Sequence, residues 1–225
     1  MGLHLYCVTP AAYVPRDVAG LDGSPVRAVL VDGLAVWVSE QEAPARASLE
    51  GAQQHHAVVE AAMQMVTPVP LRFGQWLADE EAVHVRAAAR AVDWTTQLEA
   101  LDGTAEYTVR ILDPGAETPA RDVREDAAGS GRAYLEAVAA RRAAREQRFA
   151  GGRTVAAAIE AARAGYIVRA RVDPLATTHG LATVAFLVRR EDATGFTSAL
   201  DRATAAHVGL HFLTSGPWPP WSFAT

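Results

Sequence analysis

Two adjacent histidines, His55 and His56, are the first residues of this chain that invite a chemical reading, because imidazole serves as acid, base or metal ligand near neutral pH. Neighbouring positions on a helix point about 100° apart, so the pair cannot close on one metal as an i, i+4 pair does. A place at the edge of a core or on the surface accounts for them better. A second candidate is the group Arg141, Arg142, Arg145 and Arg148, of which Arg141, Arg145 and Arg148 fall at i, i+4, i+7. Such a stripe could hold an anion or a partner. All 21 basic residues are arginine, however, and the chain has neither lysine nor asparagine. That usage discounts arginine richness as a signal, and a solvated face is the simpler reading. The turn Gly129–Ser130–Gly131 before that helix could cradle a phosphate on free amides, but without GKS or GxGxxG spacing it reads as a helix entry. The single cysteine, Cys7, excludes an internal disulfide and a multi-cysteine zinc site. Its apolar neighbours make it a small buried strand residue rather than a nucleophile. No Ser-His-Asp or Cys-His arrangement and no paired carboxylates can be placed, so catalysis finds no foothold among these residues.

The carboxy-terminal stretch GPWPPWSF, residues 216–223, sets Trp218, Trp221 and Phe223 among three prolines. It is stiff, extended and strongly apolar. Either it folds back as a staple between domains or it presents a partner-binding surface, and the staple is favoured because exposed large aromatics invite aggregation.

The elements that position these residues follow from periodicity. Leu49, Ala52, His56, Val59, Met63 and Val66 line one face of a helix. Pro68 and Pro70 stop it and predict a short strand over 69–73, closed by Gly74. Asp79 caps a second helix with Glu80 and Glu81 in its first turn, and Val83, Ala87, Ala91, Trp94, Leu98 and Leu101 form its apolar stripe up to Gly103. Ahead of these lie a strand over 3–9, a loop rich in glycine and proline, and two β-rich runs, 26–31 and 34–39, joined by Asp32–Gly33, a strong hairpin signal. After Gly103 the pattern predicts a strand over 105–112 with Glu106, Thr108 and Arg110 on a wet face, and then a long polar loop. A helix from Arg132 breaks at Gly151 and Gly152 and resumes to Ala164, followed by strands over 166–172 and 181–189, a helix over 192–206 and a strand over 208–214.

The second half thus has the βαββαβ order of a ferredoxin-like sandwich, and the first half follows the same plan with its first helix eroded to a loop. The expected fold is α+β with two domains, 1–102 and 103–225, each an antiparallel sheet with helices on one face. Residues 216–225 form the tail of the second domain. His55, Arg72, Phe73, Trp76 and Trp94 are the expected structural anchors, with Arg72 and Phe73 on a central strand. Net charge of −5 argues against general nucleic-acid binding, which needs excess positive charge. No apolar run approaches the roughly 20 residues of a membrane span. Without a secretory signal at the amino terminus, a cytoplasmic protein is expected.

Several stretches together resemble the gas vesicle protein F/L family of accessory proteins. They are LYCVTPA, VDGLAVWVSE, HHAVVEAA, VPLRFGQWLADEEAV, EYTVRIL, SGRAYLEAVAARR, TVAFLVRRED and LTSGPWPPWSF, in that order across nearly the whole chain. The chain departs from the family pattern at His56, where an acidic residue is common, and at His211 and Phe212 ahead of the tail. The resemblance implies two α+β domains, no cofactor, and a non-enzymatic role in gas vesicle assembly. The implied partners are the small, very apolar shell protein and other accessory proteins, in the cytoplasm or on the vesicle. Candidate contact residues are Trp218, Trp221 and Phe223 on the tail and Arg141, Arg145 and Arg148 on the arginine helix. The competing class is a small-molecule sensor or enzyme with a pocket around His55, His56 and Arg72.

Overall fold

The computed structural model describes residues 1–115, 131–162, 165–175, 177 and 179–224. Its elements are β1 (Gly2–Pro10), β2 (Arg27–Val31), β3 (Leu34–Gln41), α1 (Leu49–Met63), β4 (Val69–Pro70), β5 (Trp76–Leu77), α2 (Glu80–Leu101), β6 (Thr104–Leu112), α3 (Gly131–Ala161), β7 (Ile167–Pro174), β8 (Gly180–Arg189), α4 (Ala193–Ala205) and β9 (His211–Trp218). Two compact units emerge, one of Met1–Glu106 with Pro217–Thr225 and one of Tyr107–Gly216. The sequence expectation placed the division near residue 102 and left the tail with the second domain. Instead the tail's contacts are made within the first unit, for reasons given below.

The protein is α+β, with strands in the order β2-β3-β1-β4 in one sheet and β7-β8-β6-β9 in the other. In chain order both read second, third, first, fourth. The first unit therefore keeps the expected strand order, with residues 11–26 standing where a helix would be, but not the expected placement of its helices on one face. Asp32 and Gly33 both adopt positive φ, 48° and 81°, and close the β2–β3 hairpin as their types require. Ser48 caps α1 by accepting from the Gly51 amide, and Asp79 caps α2 by accepting from Ala82 at 2.8 Å.

In the first unit the helices lie on opposite faces of the sheet. Ala28 packs against the cluster that joins Ala35 and Trp37 of β3 to Val58, Val59 and Ala62 of α1, whereas its neighbour Arg27 reaches Glu80 at the start of α2 at 2.8 Å. Successive strand residues point to opposite faces, so α1 and α2 do too. This arrangement explains why β1 is buried along nearly its whole length and why β3 is buried from Leu34 to Ser39. The α1 side holds Tyr6, Trp37 and Leu21, and Trp37 Nε1 donates to Thr9 Oγ1 at 3.1 Å.

Three expected elements differ. The strand over 69–73 is only Val69–Pro70, at the sheet edge rather than its centre, so Arg72 and Phe73 sit beyond it. Proline lacks the amide that a central strand must donate, which confines Pro68–Pro70 to an edge. The chain turns out at Gly74, φ 87°, and returns as β5, and both short strands pair with β1. Helix α3 runs unbroken through Gly151 and Gly152. Gly152 serves close approach: a Cβ there would lie 2.9 Å from the Leu181 carbonyl carbon and the Ala182 Cβ of β8. The last strand begins and ends later than expected, at His211 and Trp218, and takes in Pro217 because β9 is also an edge. Gly129 and Ser130, read as the entry to α3, lie outside the described residues, and so do 163 and 164 at its expected end.

Candidate functional site

His55 lies on the inner face of α1 with Val58, Val59 and Ala62, and is 2 % exposed. Its Nε2 stands 2.8 Å from the Leu71 carbonyl oxygen and its Nδ1 stands 2.9 Å from Nε2 of His4 on β1. A carbonyl only accepts, so His55 carries its proton on Nε2. The Nδ1 of that neutral ring then accepts, and His4 Nε2–H donates. One tautomer of each ring follows from the chain of bonds. His4 Nδ1 is buried with no hydrogen-bond partner among the described residues.

Burial holds both imidazoles down to about 4, against an ordinary value of 6.5, because a charge there would be stripped of water. The neighbouring His55 lowers His4 further. For His55 the Leu71 carbonyl opposes the shift and His56 adds to it. Tyr6 rests edge-on against His4 at 4.8 Å, and its hydroxyl sits 2.7 Å from Ser39 Oγ and accepts from the Leu21 amide at 2.8 Å. Burial raises that phenol's pKa.

Aromatic side chains close over the pair. Phe73 stands 5.6 Å from His4 and 5.7 Å from His55, and Trp221 of the tail stands 5.8 Å from His55. His56, one position on, faces the tail: Trp218 meets it edge-on at 5.4 Å and Trp221 stacks on it at 5.9 Å. Its Nε2 also approaches Glu60 at 3.4 Å.

The tail is held by more than stacking. Pro219 and Pro220 are buried, and the chain turns as Phe223 and Ala224 donate to the Pro220 carbonyl, both at 3.1 Å. The amide and the hydroxyl of Ser222 both donate to the Glu106 carboxylate, each at 2.7 Å. Glu106 is 4 % exposed. The wet face read for 106, 108 and 110 therefore fails at Glu106, because the tail's turn covers it and supplies it with donors.

Of the sequence-predicted residues, His55, Phe73, Trp218 and Trp221 come together here. Phe223, expected at a contact surface, is buried at 5 % exposure. Arg72 is exposed in the turn between β4 and β5. Trp76 lies on β5 against Gly2, where there is no room for a Cβ. Trp94 is buried on α2 beneath the Arg90 guanidinium, 5.9 Å from its ring. Arg145 is exposed and Arg148 half-exposed on α3, in the other unit, while the side chain of Arg141 lies outside the described residues. The space beside His55 and His56, read as a possible small-molecule pocket, is occupied by Phe73 and Trp221 from the chain itself. Among the described residues no three His, Cys, Asp or Glu side chains are placed to hold a metal, and no helix is long and apolar enough to cross a membrane. Sequence reasoning missed His4, Ser39, Glu106 and Ser222, whose partners lie 33 to 116 positions away.

With this geometry in view, the family model described as "Gas vesicle synthesis protein GvpL/GvpF" matches residues 2–225. Gas vesicle protein F of Streptomyces sp. (strain CB03234) is 27% identical over 248 residues, covering 99% of each chain. Gas vesicle protein L of the same organism is 29% identical over 249 residues, covering 98% of this chain and 92% of its own. The crystal structure of gas vesicle protein GvpF from Anabaena sp. PCC7120 superposes with a TM-score of 0.75 at 21% identity, covering 100% of this chain and 98% of that one. That of GvpF from Microcystis aeruginosa gives 0.74 at 18% identity, covering 100% and 99%. These two structures show the same fold.

Proposed function

The chain belongs to the gas vesicle synthesis protein GvpL/GvpF family, and on that premise we propose that it is a non-catalytic assembly factor or minor component of gas vesicles. In this reading it binds the small apolar shell protein, alongside other accessory proteins, in the cytoplasm or on the vesicle. It supports nucleation or growth of the wall. The histidine cluster, the group best suited to acid–base work, is sealed and neutral, which favours a binding role over a chemical one.

The observation that carries the reading is the edge formed by β2. Val31 and Leu34 pair across the two-residue turn, so Val31, Val29 and Arg27 exchange hydrogen bonds with β3. Ala28 and Leu30 then direct their amides and carbonyls away from the sheet. From Ala28 to Val31 this edge carries no charge and no proline, the usual devices that keep an edge from pairing. Leu30 is 55 % exposed beside it. Such an edge accepts an added strand with few demands on sequence, which suits an aggregation-prone apolar β subunit.

Leu30→Pro tests this directly, because it deletes one outward amide and leaves the β2–β3 ladder intact. The expected result is a circular dichroism spectrum like that of the parent, with loss of shell protein from a pull-down run where the shell protein stays soluble. Retention at the parental level would refute the edge as the site. Failure of the intact protein to recover any shell protein would refute the binding role.

A further inference from the structure

Helix α3 buries one stripe and then keeps presenting it. Ala156 and Ile159 are fully buried, in a helix that packs on β7 and β8. Stepping back along that stripe by alternating three and four positions reaches Arg145, Arg142, Val138 and Leu135. These four are exposed, Leu135 at 66 % and Val138 at 42 %. A core-facing stripe that continues past its own sheet, first as arginines and then as two large aliphatics, is a helix face without a cover among the described residues of its unit.

The first unit carries the complement. A cleft of about 680 Å³ opens beside the β2–β3 turn and the end of α2. Leu34, Val66 and Leu98 supply apolar lining, and Asp32, Glu99 and Asp102 bring three carboxylates. No arginine or histidine is among its described lining residues. It is large enough for a few side chains, and its chemistry calls for aliphatic groups next to guanidinium groups.

We infer that α3 of one copy docks in the acidic cleft of a second copy, Leu135 and Val138 meeting the apolar lining and Arg142 and Arg145 meeting the carboxylates, so that the protein self-associates head to tail. Helix and cleft are different surfaces, and in a head-to-tail contact each added copy leaves one helix and one cleft open for the next. This contact is separate from the β2 edge and needs no shell protein.

Sedimentation velocity on the full chain alone, from about 1 to about 200 µM, covers the range of a weak transient interface. The parent is expected to grow from monomer to larger species with concentration, and to shrink back in high salt. Arg145→Glu and Glu99→Arg, both at exposed positions, should each weaken association at least about tenfold, and combining them in one chain should restore it. Mixing the two single variants is the sharper test. Arg145→Glu keeps the parental cleft and Glu99→Arg keeps the parental helix, and the changed helix and changed cleft also meet with opposite charge, so the mixture should associate as the parent does although neither variant does so alone. Val138→Asp and Thr95→Arg serve if either variant fails to give a folded circular dichroism spectrum. A parent that stays monomeric throughout, folded single variants that associate like the parent, or a mixture that stays monomeric would each overturn the inference.

Discussion

Acid should loosen this protein through two buried imidazoles. In the folded state His4 and His55 are held at about 4, while in the unfolded chain each returns to 6.5. For a base whose folded value is depressed, protonation favours the unfolded state. The stability is therefore fully present above 6.5 and is lost as pH falls from 6.5 towards 4. Linkage gives a loss of about 2 kcal/mol per imidazole between pH 7.5 and 5, and so about 4 kcal/mol for the pair, since the two titrate independently once unfolded. Against a typical net stability of about 5–15 kcal/mol, that is a large fraction. Urea titrations at pH 7.5, 6.5, 5.5 and 5.0, followed by tryptophan fluorescence, should show the midpoint falling steadily. In the His4→Gln/His55→Gln double variant the baseline stability should drop at neutral pH, because the imidazole–imidazole bond and the ring contacts with Phe73 and Trp221 are lost, but the slope with pH should flatten. A parent whose midpoint is constant from 7.5 to 5.0, or a double variant with an undiminished slope, would refute the reading of the pair as buried and neutral.

The two central glycines of α3 should respond oppositely to alanine. Gly152→Ala meets β8 backbone at 2.9 Å and should cost about 1–3 kcal/mol, whereas Gly151→Ala points into open space and should gain up to about 1 kcal/mol of helix propensity, as thermal melts would register. Glu106→Gln removes the charge that accepts both Ser222 donors, an expected loss of about 1.5–3 kcal/mol. Ser222→Ala should lose less, since the amide bond at 2.7 Å survives. In both variants the emission of Trp218 and Trp221 should shift red as the tail frays from His56, and an unshifted spectrum with unchanged stability would count against the carboxylate as the tail's tether.

What was legible in the sequence was local. Asp32–Gly33 announces its own turn, Asp79 with Glu80 and Glu81 announces a helix start, and the 3.6-residue stripe of α2 names Val83, Ala87, Trp94, Leu98 and Leu101, all of which are buried. What was not legible depends on which distant segment lands nearby. His4 looks like any alternating strand residue until His55, 51 positions on, supplies an acceptor. Glu106 obeys the period of a wet strand face until Ser222, 116 positions on, brings two donors to it. Gly151–Gly152 reads as a break because glycine destabilises a helix, and local pattern cannot tell a glycine that ends a helix from one that lets it touch a strand. The double proline at 68 and 70 did carry the edge signal, and weighing the missing amides against a central position would have placed Arg72 and Phe73 outside the strand.

The same long-range contacts decide where a partner surface is sought. GPWPPWSF has the composition of an anchor, large rings on a stiff backbone, and a tail free in solution would be the first choice for a contact. Here its rings serve the first unit: Trp221 covers His55, Trp218 and Trp221 bracket His56, and Phe223 is buried. Pulling the tail away for a partner would expose the His4–His55 pair to water and leave Glu106 without its Ser222 donors, a cost that any new contact would first have to offset. The β2 edge and the exposed stripe of α3 carry no such cost. The first offers unpaired backbone on an uncharged edge, and the second offers side chains that are already solvated. A partner that binds without unfolding the tail will therefore leave the fluorescence of Trp218 and Trp221 unchanged, and a shift in that emission on adding shell protein would favour the tail over the proposed β2 edge.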